Sequence, residues 1–293
     1  MKDIIVIVGP TGVGKTKLSI ELAKKLNAEI VNADSMQVYR GLDIGTAKVS
    51  EEEKEGIVHH LFDIKNIEQD YSVYDYQKDC KRVIDDILSR KKRVILVGGT
   101  GLYIKSVLYD YNFVEYGNKN TFDELSNEEL YQKLLKYDKD IVIDKNNRRR
   151  LINWLNKYSN VLLSDEKKAI RSYDFICIGL TTDRQVLYDK INTRVDEMMR
   201  KGLLAEVQCF YNRNLLVKPL INGIGYKELY SYLNGKISKD EAVNLIKRNT
   251  RRYAKRQYTW FKHQMDVTWF NVDFDNFVNT INEVIKFLED EID

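Results

Sequence analysis

The chain has 293 residues, 43% of them hydrophobic and 31% charged, with a formal charge of +3. That length allows one large domain or a core with an insert, and so balanced a charge is no ground by itself for a nucleic-acid partner. No apolar run approaches the ~20 residues of a membrane span, and Cys80, Cys177 and Cys209 lie too far apart in sequence to suggest a zinc site or a disulfide framework.

The first predicted element is Ile4 to Val8, apolar and β-branched throughout, which reads as a buried parallel strand. It starts too early to leave room for a secretory signal, so a cytoplasmic protein is expected. Gly9-Pro10-Thr11-Gly12-Val13-Gly14-Lys15-Thr16 follows and fits the pattern G-x-x-x-x-G-K-[ST] without a mismatch. Leu18, Leu22, Ala23 and Leu26 then recur at helical spacing. Strand, glycine loop and helix together predict a phosphate cradle. The glycines let backbone amides curl around an anion, and the helix start adds the positive end of its dipole. Lys15 supplies a point charge, and the Thr16 hydroxyl can hold Mg²⁺. This predicts that a diphosphate or triphosphate binds and leaves open what becomes of it.

Ile30-Val31 reads as the next strand, with Asp34 just past its carboxyl end. In doubly wound sheets that edge faces the ligand crevice. A carboxylate there could accept a proton from a nucleophile or take part in metal binding. His59-His60 has no further ligand at helical spacing and reads as loop packing or a substrate contact. A helix is predicted over about 74–91, with Tyr76, Cys80, Val83, Ile84, Ile87 and Leu88 on one face. Asp85-Asp86 lies in it without a third carboxylate and reads as a solvated face.

The strand 94–97 ends in Gly98-Gly99-Thr100-Gly101. These glycines permit close backbone approach, and Thr100 offers a hydroxyl to a substrate. A motor-type NTPase would usually place an acid here for Mg²⁺.

Residues 112–170 break the strand–helix rhythm and predict an inserted helical subdomain, with Leu130, Leu134 and Leu135, then Leu151, Ile152 and Leu155. The core is expected over 1–111 and 171–293. Phe175 to Ile178 and Val267 to Phe270 read as further strands. Between them the chain is mostly helical, with Tyr188, Ile191, Val195, Met198 and Met199 as a core stripe. The fold class expected is α/β, a P-loop NTPase-like three-layer fold with a parallel sheet. Residues 247–256 carry six cations and no acid, and aromatic residues follow. Arg148-Arg149-Arg150 forms a second cluster. Two basic clusters beside a phosphate site suggest a polyanionic acceptor.

Taken together, several strings resemble the bacterial tRNA dimethylallyltransferases. They are the loop 9–16, DSMQVYRGLDIGTAK at 34–48, HHLFDI at 59–64 and VGGTGLY at 97–103. RVDEMMRKG at 194–202, IGYKEL at 224–229 and NTRRYAKRQYTWFK at 249–262 complete the set. The resemblance implies that the loop holds dimethylallyl diphosphate rather than ATP, and that Mg²⁺ is the cofactor. The acceptor implied is the adenosine 3′ of the anticodon of a tRNA, whose exocyclic amine displaces diphosphate. Asp34 matches the proposed general base, and Arg194 an arginine that approaches the diphosphate. Ser35, Met36, Gln37 and Thr100 match positions that contact the acceptor nucleotide. Gly223, Gly225, Tyr226 and Lys227 match tRNA-contacting positions, as do Arg251, Arg252, Lys255 and Arg256 of the basic helix. Arg148, Arg149 and Arg150 are expected to contact tRNA from the insert. Before them the family usually has His-Pro-Asn-Asp, where this chain reads Asp144-Lys145-Asn146-Asn147. A monomer without membrane attachment is implied. A small-molecule P-loop kinase shares the first motif and is the competing reading. A nucleotide-gated RNA-binding protein without activity is a third.

Overall fold

The computed structural model describes residues 3–109, 122–139, 141, 143–160 and 171–292. It contains one six-stranded parallel sheet. β1 (Ile4–Val8), β2 (Ala28–Asn32), β3 (His59–His60), β4 (Arg93–Val97), β5 (Phe175–Thr181) and β6 (Thr268–Asn271) stand in the order β3-β2-β4-β1-β5-β6. Every residue of β1 is buried, because helices cover both faces of a parallel sheet. Alternate residues serve opposite layers. Ile5 and Ile7 face a core shared with α1 (Lys15–Leu26) and α11 (Phe277–Ile292). Ile4, Val6 and Val8 face a core built by α2 (Val73–Ser89) and α3 (Gly101–Leu108). This is the expected three-layer α/β fold.

After β1 the chain passes to β2 on one side of it, and β5 lies on the other, so the sheet changes direction at β1. That switch point opens a crevice past the strand ends. Beyond it, α6 (Arg184–Arg200), α7 (Leu203–Asn212), α8 (Lys218–Asn222), α9 (Tyr226–Leu233) and α10 (Lys239–Gln264) enclose a third core around Val38, Leu42, Leu203, Tyr226 and Leu229. α10 turns Ala242, Ile246, Ala254, Gln257 and Phe261 inward.

The chain separates into two compact units, Met1–Asp110 with Arg171–Asp293, and Tyr111–Ile170. Within the second, α4 (Asn127–Tyr137) opens with a capping box between Ser126 and Glu129. It packs against α5 (Arg148–Asn160) through Leu130, Leu134, Leu151 and Leu155.

Two local expectations need correction. His59-His60 is a short edge strand paired with β2, and His60 Nε2 lies 2.7 Å from Glu29 Oε2. In α6 the buried stripe is Leu187, Ile191 and Val195, while Tyr188 is half-exposed under the guanidinium of Arg184.

Candidate active site

A cavity of about 740 Å³ opens where the phosphate loop meets the carboxyl ends of β2 and β4. The loop contributes Thr11, Gly12, Gly14, Lys15 and Thr16, and the exits of the two strands contribute Asp34, Gly98 and Gly99. α6 contributes Arg194, Glu197 and Met198. Phosphate loop, Asp34 and Arg194, far apart in sequence, thus face one space.

α1 starts behind Gly14, which has φ 98° and caps no amide by a side chain. The first turn carries no acid either. An uncapped, acid-free helix start is a ready anion site. A Cβ on Gly14 would stand 2.6 Å from the Phe277 ring, so both the backbone twist and the packing call for glycine. Lys15 Nζ lies back over the loop, donating to Gly9 O at 3.0 Å and Pro10 O at 2.8 Å. Its pKa falls to about 8, chiefly through burial, with Asp34 opposing and Arg194 adding to the drop. Burial also lowers the pKa of Arg194, against the pull of Asp34, Glu197 and Glu53. Partly desolvated cations attract phosphate oxygens more strongly than solvated ones.

Asp34 is fixed by its own turn. Its amide donates to Asn32 Oδ1 at 2.9 Å, and its Oδ1 accepts from Met36 N at 2.9 Å. No described residue hydrogen-bonds its Oδ2, which leaves an oxygen able to take a proton. The neighbouring positions are tied in turn. Thr100 Oγ1 accepts from Ser35 N at 3.1 Å, and Gln37 Nε2 donates to Thr46 O at 3.1 Å. The Met36 methyl would lie 2.8 Å from a Cβ on Gly223, which places Gly223 beside the Asp34 turn.

The three glycines after β4 make room for protein rather than for a ligand. A Cβ on Gly98 would meet the Ala33 backbone, one on Gly99 the Gln257 amide, and one on Gly101 the Trp260 ring, at 2.2, 2.0 and 2.2 Å. Close approach is therefore the reason for glycine here, and the partners are β2 and α10. Burial first, then the charge of Asp34, pushes the Tyr253 phenol up, while hydrogen bonds with Thr100 and Gln257 pull it down.

One contributor, Glu206, had no sequence signal. Glu206 accepts hydrogen bonds from the amides of Asp43, Ile44 and Gly45 at 3.1, 2.7 and 3.0 Å, and from Tyr226 Oη at 2.6 Å. It anchors the segment that lines the cavity through Ile44, Thr46 and Ala47. His59 also lines the cavity, with Nδ1 2.8 Å from Ile57 O and its buried Nε2 without a partner. Burial lowers its pKa and favours the neutral ring.

The expected tRNA-facing residues divide by exposure. Arg252, Lys255 and Arg256 are exposed on α10. Arg251 instead donates to Asn192 Oδ1 at 2.6 Å and covers the Tyr188 ring. Tyr226 is fully buried, Gly225 N is held by Glu228 Oε2, and Lys227 is partly exposed. In the insert, Arg149 and Arg150 are exposed, whereas Arg148 donates to Leu125 O at 2.6 Å and Phe122 O at 2.8 Å. Its guanidinium holds the turn before α4.

The family model described as IPP transferase matches residues 37–264. A tRNA dimethylallyltransferase of Anoxybacillus flavithermus is 46% identical, over 98% of this chain and 96% of its own. The crystal structure of the full-length tRNA isopentenylpyrophosphate transferase from Bacillus halodurans superposes with a TM-score of 0.78 at 41% identity, covering 99% of this chain and 96% of that one. A eukaryotic dimethylallyltransferase acting on tRNA gives a TM-score of 0.81 at 31% identity, over 92% of this chain and 74% of its own. The family model covers more than half of the chain, including the basic helix, the relative spans nearly all of it, and this chain belongs to the IPP transferase family.

Proposed function

We propose that this chain transfers the dimethylallyl group of dimethylallyl diphosphate to the exocyclic amine of the adenosine 3′ of the anticodon in tRNA. Diphosphate is the leaving group. The observation that carries this reading is the shared cavity of Lys15, Arg194 and Asp34 in a chain whose full-length relatives are named tRNA dimethylallyltransferases.

The residues divide the work by charge. The phosphate loop, Lys15 and Arg194 hold the diphosphate and stabilise the charge that grows on it as the allylic carbon–oxygen bond breaks. An adenine amine is a weak nucleophile, because its lone pair is delocalised into the ring. Asp34 accepts a hydrogen bond from it and takes a proton as the new carbon–nitrogen bond forms. The target base leaves its stack to reach so enclosed a site. Among the described residues no three His, Cys, Asp or Glu side chains group to hold a metal ion. The Thr16 hydroxyl, which lines the cavity at the start of α1, would hold a Mg²⁺ together with oxygens of the diphosphate. When bound, it shares the charge of the leaving group. Exposed Arg252, Lys255 and Arg256 on α10, with Arg149 and Arg150, supply contacts to the tRNA backbone. A tRNA substrate supports a cytoplasmic enzyme. Among the described residues no helix is long and apolar enough to cross a membrane.

The test is direct. The protein is incubated with dimethylallyl diphosphate, Mg²⁺ and unmodified tRNA, and the digested tRNA is examined by mass spectrometry. A prenylated adenosine next to the anticodon is expected. ATP turnover with a small-molecule acceptor and no prenylated product would favour the kinase reading instead.

A further inference from the structure

One buried amide plays no part in the chemistry above yet touches both loops that frame it. Gln257 lies on the inner face of α10 and is 5% exposed. Its Oε1 accepts from Thr11 N at 2.9 Å, and its Nε2 donates to Gly99 O at 3.1 Å. The partners fix the orientation of the amide, since a backbone N–H only donates and a carbonyl only accepts. Thr11 belongs to the phosphate loop. Gly99 precedes Thr100, whose hydroxyl holds Ser35 beside Asp34. One side chain thus spans the loop for the leaving group and the loop behind the proposed base. The fit is close, for a Cβ on Gly99 would come within 2.0 Å of Nε2.

We infer that Gln257 is a positioning residue for the prenyl transfer proposed above, on which this inference rests. It sets the distance between the diphosphate cradle and the Asp34 turn. Displacement at carbon needs the amine and the departing oxygen on opposite sides of one atom. Their separation is therefore fixed by the two loops, and a shift of about 1 Å can cost about a hundredfold in rate. Gln257 touches neither donor nor acceptor and acts through Thr11 and Gly99.

The experiment uses Gln257→Glu and Gln257→Leu in the full chain. A carboxylate at this position accepts from Thr11 N but repels Gly99 O. A protonated carboxyl, formed as the pH is lowered, donates to Gly99 O and restores both bonds. Both variants are expected to lose about a hundredfold in kcat near neutral pH. The Kd for inorganic diphosphate with Mg²⁺ and the Kd for tRNA stay unchanged. For Gln257→Glu, the kcat ratio to wild type rises as the pH is lowered, by up to about tenfold per unit, and then levels off. For Gln257→Leu the ratio stays flat. Wild-type kcat in both variants would overturn the inference. So would a Gln257→Glu deficit that does not change with pH, since that reports only lost packing. A wild-type protein that yields no prenylated adenosine would overturn the parent reading, and this inference with it.

Discussion

Raising the pH should weaken the phosphate cradle by removing a single proton. Burial first, and then Arg194, lowers the Lys15 pKa to about 8 from 10.5 despite the opposing charge of Asp34. A site with a pKa of about 8 is about nine-tenths charged at about pH 7 and one-tenth charged at about pH 9. Diphosphate selects the charged form. Its affinity, measured with Mg²⁺ present, should hold below about pH 8 and fall by up to about tenfold per unit above it. Binding restores the ammonium, so each protein takes up about 0.9 proton at about pH 9 and about 0.1 at about pH 7. Calorimetry in two buffers of different ionisation heat reads this uptake directly. Lys15→Arg keeps its charge throughout, so its own curve carries only the ionisation of the ligand and metal. Asp34→Asn removes the charge that holds the Lys15 pKa up, so the break moves to lower pH. A constant ratio of wild type to Lys15→Arg across the range, with no extra proton uptake, would refute the assigned desolvation.

Three further outcomes follow from the same geometry. Asp34→Asn keeps the turn but is a far weaker base, so turnover should fall at least about a hundredfold while tRNA binding is retained; lost binding with intact single-turnover chemistry would make Asp34 a positioning residue. Neutralising Arg252, Lys255 and Arg256 should weaken tRNA binding and reduce its salt slope by up to about 0.7–0.9 log units per lost phosphate contact, whereas an unchanged slope would mark a merely solvated face. Glu29 is 2% exposed, and its hydrogen bonds with Arg90, Lys92 and His60 hold its carboxyl far below the usual range. A depressed carboxyl contributes stability that is present above its unfolded pKa and lost as the pH falls through the folded one. Melting curves should therefore show Glu29→Gln less stable than wild type near neutrality, with the gap closing in acid; parallel curves at all pH values would contradict this.

The inner strands of the sheet were legible in the sequence because they are buried on both faces and read as unbroken apolar runs, as in Ile4 to Val8. The phosphate loop and Asp34 were legible because each sits directly behind such a run. β3 was not, since two histidines carry neither alternation nor an apolar run, and its strand character comes from pairing with Ile30 and Val31. Leu187 escaped the predicted α6 stripe because Tyr188, at its side, fits a helical face nearly as well. Glu206 and Gln257 are polar residues on helices, where such a side chain normally meets water. The backbone groups they bind lie 161–163 and 158–246 residues away, so only the tertiary fold reveals what they hold. Arg148 shows the reverse, a cation in a basic cluster whose guanidinium is taken up by local carbonyls.

The carboxylate of Glu206 also bears on how many anions the cavity accepts. Three consecutive amides, from Asp43 to Gly45, converge on it beside the space that the phosphate loop faces. Consecutive amides turned to one point make a concave trap for negative charge, chemically akin to the phosphate loop itself. The protein fills this trap with an anion of its own. The amides of Asp43 to Gly45 are therefore already occupied, whereas the start of α1 carries no side-chain cap and no acid. Glutamate at 206 acts in this sense as a permanent internal competitor for any other anion at these three amides.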